Sequence, residues 1–123
     1  ITLIEPLLKR STFLLEVVEE LQLDNVTVLR GRAEEKAIKA EVGTVDVVTS
    51  RAVAPLGKLA QWSLPLVTRG GVMIAMKGSS VSEELERDAK IIKNAGGGPA
   101  QIQLVGVGIV EEPTHLIRIP RVR

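Results

Sequence analysis

Charged side chains follow the first four predicted strands of this sequence at the point where each strand ends. Glu5 follows the first strand, Arg30 and Arg32 the second, Arg51 the third and Lys77 the fourth. In an open parallel sheet, ligands bind beyond the carboxyl ends of the strands, so these side chains predict one ligand site. Cations gathered at one edge repel each other unless an anion is bound there, and a phosphate backbone would supply that anion.

The carboxylate of Glu5 suits a nucleoside ligand. A carboxylate at the end of an early strand can accept both hydrogen bonds from a ribose diol. It can equally cap the helix that follows, since negative charge is favourable at a helix amino terminus. Taken alone, Glu5 leaves both roles open.

The basic residues differ in how strongly they indicate a ligand. Arg30 can pair with the nearby Glu34 or Glu35, and we favour that role for it. Arg51 directly follows a buried strand, which favours a functional contact.

Lys9 and Arg10 lie in the first turns of a predicted helix, where a cation opposes the helix dipole. An RNA contact would explain this placement, as would solvated side chains that bend away from the helix end. His115 begins a strand without partners for a catalytic triad, so we interpret it as structural or RNA-facing.

The composition restricts the classes of protein to which the chain can belong. Its 123 residues fit one domain, residues 1–123, and 45% hydrophobic with 25% charged residues is typical of a globular protein. With 16 Lys and Arg against 15 Asp and Glu, any nucleic-acid contact must come from local clusters of cations. The sequence has no Cys and one His, so we expect no metal site. No apolar run is long enough to span a bilayer and no signal segment opens the chain, so we expect a cytoplasmic protein rather than a membrane protein.

Short aliphatic runs predict six strands, and the stretches between the early ones are long enough for helices. The predicted strands cover residues 1–4, 26–29, 45–49, 72–76, 102–105 and 116–119. Alternating strands and helices indicate an α/β fold with a mostly parallel sheet. The connection before the last strand is too short for a crossover helix, so the last two strands should form an antiparallel hairpin. Because the sequence opens on a strand and on Ile1 rather than Met, we expect an amino-terminally truncated domain.

Three helices and one shorter helical turn are predicted. They cover residues 6–21, 33–38 and 55–66 and a segment from Ser80 to Gly96. Pro65 should kink or end the third of these before a turn at Gly70 and Gly71. Ser80 with Glu83 should form a capping box at the start of the last.

Four segments, read together and in order, resemble one known family. They are residues 3–10 (LIEPLLKR), 29–35 (LRGRAEE), 48–56 (VTSRAVAPL) and 76–78 (MKG). The chain is similar in these segments to the glucose-inhibited division protein B family, the 16S ribosomal RNA guanine-N7 methyltransferases. The likeness covers nearly the whole chain, and the Ser-Arg-Ala stretch is its most specific part.

The resemblance implies a Rossmann-like class I methyltransferase sheet, S-adenosylmethionine as cofactor, and 16S ribosomal RNA or the small ribosomal subunit as partner. It implies cofactor contacts by Glu5, Ala33, Glu34 and Arg51, with Arg51 also a candidate catalytic residue that contacts cofactor or substrate. It implies RNA contacts by Lys9, Arg10, Arg32 and Lys77.

Two departures from the family pattern matter. The family's glycine-rich cofactor loop belongs to a strand and helix that precede the equivalent of Ile1, so we expect it to be missing and this chain alone to bind the cofactor poorly. Many members carry an Arg before the equivalent of His115, where this sequence has Thr114. One RNA contact of the family is therefore expected to be lost.

The chemistry that the resemblance implies agrees with what the sequence lacks. Guanine N7 has a free lone pair and loses no proton on methylation, so the enzyme needs orientation and electrostatic stabilisation rather than a general base. Two other interpretations stay open: a nicotinamide-dependent oxidoreductase and a non-catalytic α/β RNA-binding module. The sequence has no Tyr, which removes the Tyr-Lys pair of short-chain reductases, and its two aromatic residues, Phe13 and Trp62, make a base-stacking sheet improbable.

Overall fold

The computed structural model of the chain describes residues 1–51, 54–109, 111 and 113–123. Its contacts divide these residues into two compact units, Ile1–Gly43 and Thr44–Arg123. Each unit has its own sheet, of two strands in the first unit and of four in the second.

The first unit alternates strands and helices, as the sequence predicts. Its elements are β1 (Thr2–Glu5), α1 (Leu8–Glu20), β2 (Thr27–Arg30) and α2 (Lys36–Val42). β1 and β2 pair in parallel, and the last pair in register joins Glu5 to Arg30. The two charged residues therefore lie side by side at the carboxyl ends of the two strands.

Helix α1 is shorter than predicted at both ends. It begins at Leu8, two residues after Pro6, and its carboxyl cap is Leu21. Gln22, just beyond the cap, has a positive φ of 53°, a conformation that ends a helix.

The second unit contains the remaining elements around a mixed sheet. They are β3 (Val45–Arg51), α3 (Leu56–Ser63), a 3-10 turn (Leu64–Leu66), β4 (Val67–Lys77), α4 (Val81–Arg87), α5 (Ala89–Asn94), β5 (Gln101–Val105) and β6 (Thr114–Pro120). The strand order is β3-β4-β6-β5. β3 and β4 are parallel, and β6 is antiparallel to both β4 and β5. The predicted strands and the antiparallel hairpin are confirmed, and β6 adds a second antiparallel pairing because it inserts between its hairpin partner and β4.

The core of the second unit lies between the sheet and its helices. Met73 and Ala75 of β4 and Ile117 of β6 are fully buried, as are Leu56 and Leu64 beside them. Side chains alternate along a strand, so Met73, Ala75 and Lys77 of β4 share the helix-covered face of the sheet. The ending of α3 ahead of Pro65 is confirmed, and the 3-10 turn carries the chain into β4.

The turn predicted at Gly70 and Gly71 is wrong, because both residues lie inside β4. The register runs from Val45 opposite Val67 to Val47 opposite Val72, so extra residues of β4 bulge out between these pairs. Gly70 has a φ of 86°, a conformation that suits glycine at a bulge. The Gly-Gly signal therefore marks an irregularity within a strand and not its beginning.

The last predicted helix is also different, since it breaks at Asp88 into α4 and α5. The Ser80 capping box is wrong, because the Ser80 hydroxyl lies 3.2 Å from a Glu84 carboxylate oxygen and makes no capping hydrogen bond. Asp88 is buried and accepts a 2.9 Å hydrogen bond from the Gly57 N–H at the start of α3. The break places the Asp88 carboxylate at the amino end of α3. The predicted stop at Gly96 is confirmed, since the α5 cap is the preceding residue.

Replacing Gly71 should weaken the bulge. A Cβ at this position would lie 2.5 Å from the Asp46 carbonyl oxygen and 2.8 Å from a Val67 methyl group. We expect Gly71→Ala to lower the free energy of unfolding by about 1–3 kcal/mol, the usual effect of overpacking. Urea unfolding measures this, and Gly78→Ala is the matched control because a Cβ there has nothing within 4 Å. Equal stability of the two variants would contradict the predicted crowding.

The contribution of Asp88 to stability should depend on pH. Hydrogen bonds from Arg87, together with the one from Gly57, outweigh burial and lower the pKa of the Asp88 carboxyl below its ordinary value. A lowered folded-state pKa means that the stabilisation is complete above the ordinary value near pH 4 and is lost as the pH falls through the folded-state value.

We therefore expect Asp88→Asn to lower the free energy of unfolding by about 1–2 kcal/mol at pH 7 and to approach the wild type near pH 3. Urea unfolding at both pH values measures the difference. Glu86→Gln, an exposed substitution on α4, is the control. A deficit of Asp88→Asn that stays constant down to pH 3 would contradict the assigned role of its charge.

Candidate active site

Glu5 is the last residue of β1, and only one of its two carboxylate oxygens accepts a hydrogen bond from the described residues. The Leu7 N–H, just ahead of α1, donates a 3.2 Å hydrogen bond to Glu5 Oε1. Among the described residues no hydrogen bond reaches Glu5 Oε2. One oxygen thus supports the start of α1, as in the capping interpretation, while the other is available to a ligand hydroxyl.

A tight turn follows β2 and lies at the same end of the small sheet as Glu5. The Gly31 N–H donates to the Glu5 carbonyl at 3.2 Å, which extends the pairing of β1 and β2 by one residue. A Cβ on Gly31 would lie 2.7 Å from the Ile38 side chain, so only glycine fits here. The glycine therefore holds the turn close to the end of β1.

Two hydrogen bonds close the turn. The Glu35 N–H donates to the Arg32 carbonyl at 3.0 Å, and the Arg32 N–H donates to Glu35 Oε1 at 2.9 Å. Ala33 and Glu34 form the tip of the turn, and α2 begins only at Lys36. The helical turn predicted over residues 33–38 therefore starts three residues late, because Glu35 satisfies a backbone donor outside the helix.

This arrangement fits a nucleoside. Glu5 Oε2 and the exposed carboxylate of Glu34 are hydrogen-bond acceptors of the kind that bind ribose hydroxyls and amino groups. Ala33, which directly precedes Glu34, is half-buried and has a small side chain. The pairing of Arg30 with Glu34 or Glu35 that we favoured is not observed, since the described part of the chain has no ion pair within 4.0 Å at Arg30.

The three cations of the first unit that were predicted to bind RNA are exposed. Lys9 and Arg10 lie in the first turn of α1, which contains no acidic residue, and Arg32 precedes the turn tip. None of the three forms an ion pair in the ranges that the structure describes. A shallow groove on α1 is lined by Leu8, Lys9, Thr12, Phe13 and Glu16. The charges of Lys9, Arg10 and Arg32 are therefore available to an external anion.

In the second unit, Arg51 is the last residue of β3 and its side chain is exposed. It pairs in register with Met76 of β4, whereas Ser50 pairs with the fully buried Ala75. Ser50 therefore faces the helices, and its buried hydroxyl has no hydrogen-bond partner among the described residues. Arg51 lies on the other face of the sheet, because side chains alternate.

Lys77 ends β4 at the same edge as Arg51 but on the helix-covered face, which it shares with Ala75. Its ammonium group lies 2.9 Å from Glu84 and donates a 3.0 Å hydrogen bond to the Ala54 carbonyl, and 7% of its side chain is exposed. The two cations that the sequence places together are thus separated by the sheet itself. An RNA contact by Lys77 stays a prediction, and every contact that the structure gives this ammonium is internal.

Glu84 is a residue of this region that the sequence analysis missed. It accepts hydrogen bonds from the Leu56 N–H at 3.1 Å and from Ser80, in addition to its ion pair with Lys77. Burial would raise the pKa of its carboxyl, but these hydrogen bonds and the Lys77 charge outweigh burial and hold the pKa below its ordinary value. The available signal was the i, i+4 spacing of Glu84 and Asp88 beside the apolar stripe of a predicted helix.

In the described ranges, no three His, Asp or Glu residues are grouped as a metal ion requires. None of the helices that the structure describes is long and apolar enough to cross a membrane.

The sequence matches one protein family along most of its length. The model of the GidB family, described as rRNA small subunit methyltransferase G, matches residues 1–110. A relative from Corynebacterium diphtheriae named ribosomal RNA small subunit methyltransferase G is 72% identical over all 123 residues, which are 55% of the relative. A relative of the same name from Rhodococcus jostii is 54% identical over 122 residues, and the match covers 53% of that relative's length. The chain spans about half the length of these curated relatives.

Solved structures show the same fold at low sequence identity. Fibrillarin from Aeropyrum pernix, solved with natively bound S-adenosyl-L-methionine, has a TM-score of 0.69 at 20% identity, over 97% of this chain and 54% of fibrillarin. A methyltransferase from Pyrococcus furiosus has a TM-score of 0.70 at 17% identity, over 99% and 62%. These matches confirm the Rossmann-like methyltransferase fold predicted from the sequence. The family match over residues 1–110, nearly nine-tenths of the sequence, establishes that the chain belongs to the GidB family, described as rRNA small subunit methyltransferase G.

Proposed function

We propose that this chain is part of an S-adenosylmethionine-dependent enzyme that methylates N7 of a guanine in 16S ribosomal RNA. The observation that carries the proposal is the family match over residues 1–110, since it spans Glu5, the turn after β2, Arg51 and Lys77. Residues 1–123 then form the methyltransferase domain or part of it. The cofactor, when bound, supplies the methyl group.

The first unit would hold the adenosine part of the cofactor. Glu5 Oε2, which no described donor occupies, accepts hydrogen bonds from the ribose hydroxyls. Ala33 and Glu34, at the tip of the turn, line the adenine. Gly31 keeps this turn beside β1, because its N–H donates a hydrogen bond to the Glu5 carbonyl and a Cβ at that position would collide with Ile38 of α2.

RNA binding is assigned to the exposed cations Lys9, Arg10 and Arg32. Their side chains are accessible and form no ion pair with a described carboxylate, so they can neutralise phosphates without first breaking an internal contact. Contacts of this kind make affinity depend strongly on salt concentration. The RNA is either free or within the small ribosomal subunit.

Arg51 would orient cofactor or RNA at the open face of the sheet. A guanidinium binds a carboxylate or a phosphate through two parallel hydrogen bonds, which fixes the position of the bound group. Because guanine N7 attacks through a free lone pair, positioning supplies the catalysis and no residue of this chain has to remove a proton. Arg51 is therefore the proposed catalytic residue.

The product should be 7-methylguanine. We expect the chain, extended to the full length of its relatives, to transfer a labelled methyl group to small-subunit ribosomal RNA, with the label released by cleavage specific for 7-methylguanine. A heat-inactivated preparation is the control. Label on an exocyclic amino group or on a ribose hydroxyl would contradict the proposed reaction.

Arg51→Ala should lower methyl transfer in that protein far more than it lowers stability. The loss of a positioning contact at the reacting groups typically lowers the rate by about a hundredfold or more. Arg30→Ala removes the same charge from another exposed strand end and should lower turnover much less. Turnover is measured at saturating RNA and cofactor, with urea unfolding for stability. Equal turnover by the two variants would reduce Arg51 to an ordinary surface cation.

A further inference from the structure

The ion pair of Lys77 and Glu84 is enclosed, and the proposed reaction does not use it directly. The two side chains are only 7% and 12% exposed, respectively. Taking two charges out of water is unfavourable unless close pairing and further hydrogen bonds compensate. Both conditions hold here, since the charges lie 2.9 Å apart and Glu84 also accepts two further hydrogen bonds.

Glu84 and Asp88 both accept hydrogen bonds at the amino end of α3. The first N–H groups of a helix lack partners within it, and the cap residue Pro55 has no side chain that could supply one. Glu84 accepts from the Leu56 N–H at 3.1 Å and Asp88 from the Gly57 N–H at 2.9 Å. Two carboxylates from a different part of the chain thus take the place of a local cap.

The same polar group joins the strand that pairs with Arg51 to the start of α3. Arg51 is anchored on one side by its pairing with Met76 of β4. Lys77, the next residue of β4, donates to the Ala54 carbonyl at 3.0 Å, two residues before α3 begins. The polar group therefore ties the start of α3, from Ala54 onward, to the strand that pairs with Arg51.

We propose that Lys77, Glu84 and Asp88 are positioning residues that act through Arg51: they clamp the amino end of α3 to the end of β4 and so keep the Arg51 guanidinium in place for its ligand. The inference rests on the function proposed above for Arg51. The clamp itself is a property of the folded chain, and it can be measured without any activity.

Hydrogen exchange followed by nuclear magnetic resonance tests the clamp in the chain itself. We expect Glu84→Ala to speed exchange of the Leu56 amide by about tenfold or more, because a hydrogen bond to a charged group is lost. The Ile117 amide, in β6, should change by less than about twofold. Glu84→Met keeps most of the side-chain length but has no oxygen to accept from the Leu56 N–H, and it gives the same comparison if Glu84→Ala does not fold. Glu86→Ala, an exposed substitution on α4, is the control. Equal acceleration at Leu56 and Ile117, or none at Leu56, would overturn the clamp.

A double-mutant cycle tests the link to Arg51 in the protein extended to the length of its relatives. We expect Glu84→Gln to lower kcat/KM for methyl transfer by about tenfold when Arg51 is present and by less than about twofold in an Arg51→Ala background. A merely structural role would give equal losses in both backgrounds, and that result would overturn the proposal.

The salt dependence of RNA binding separates positioning from a direct phosphate contact by Lys77. If Lys77 only positions other residues, Lys77→Met and Glu84→Gln should both leave unchanged the slope of log RNA affinity against log salt concentration. A slope reduced by about one in Lys77→Met alone would show a phosphate contact and overturn the assignment of Lys77. Absence of methyl transfer by the wild type would refute the proposed function, and hydrogen exchange would still decide whether the clamp exists.

Discussion

The parallel register of β3 on β4 decides which side chains meet at the candidate site. Arg51 pairs with Met76, so these two side chains lie on the open face of the sheet. The side chain of Lys77, the next residue of β4, lies on the helix-covered face. A slip of one residue would exchange the faces of every side chain in β3. The bulge at Gly70 and Gly71 lies upstream of this register, which then runs without a further shift from Val47 opposite Val72 to Arg51 opposite Met76.

The helix-covered face of this edge is polar where a core would ordinarily be apolar. Lys77, Glu84 and Asp88 replace apolar packing with a set of hydrogen bonds that satisfies the backbone at the start of α3. Such a group is stable only when it is complete, because a single remaining charge would be buried without a partner. The lowered pKa values of Glu84 and Asp88 reflect the same matching of charge to donors.

In the first unit, by contrast, the described charged side chains are not paired with each other. Its cations Lys9, Arg10 and Arg32 stay exposed and form no described ion pair, while Glu5 and Glu34 present acceptor oxygens near the turn after β2. A nucleoside and a phosphate backbone need these two kinds of group. In the proposed reaction guanine N7 attacks through a free lone pair, so these groups would only have to bind and orient their ligands.

Local pattern in the sequence was enough to predict the six strands, the antiparallel hairpin and the ends of strands where Glu5 and Arg51 lie. The resemblance of four segments to a known family predicted the family. Strand periodicity and turn residues act over a few positions, so they can be recognised without the fold. The bulge at Gly70, the helix break at Asp88 and the enclosure of Lys77 could not be predicted in this way. Each depends on a contact between segments distant in sequence, as between Gly57 and Asp88, and only the folded chain brings such partners within hydrogen-bonding distance.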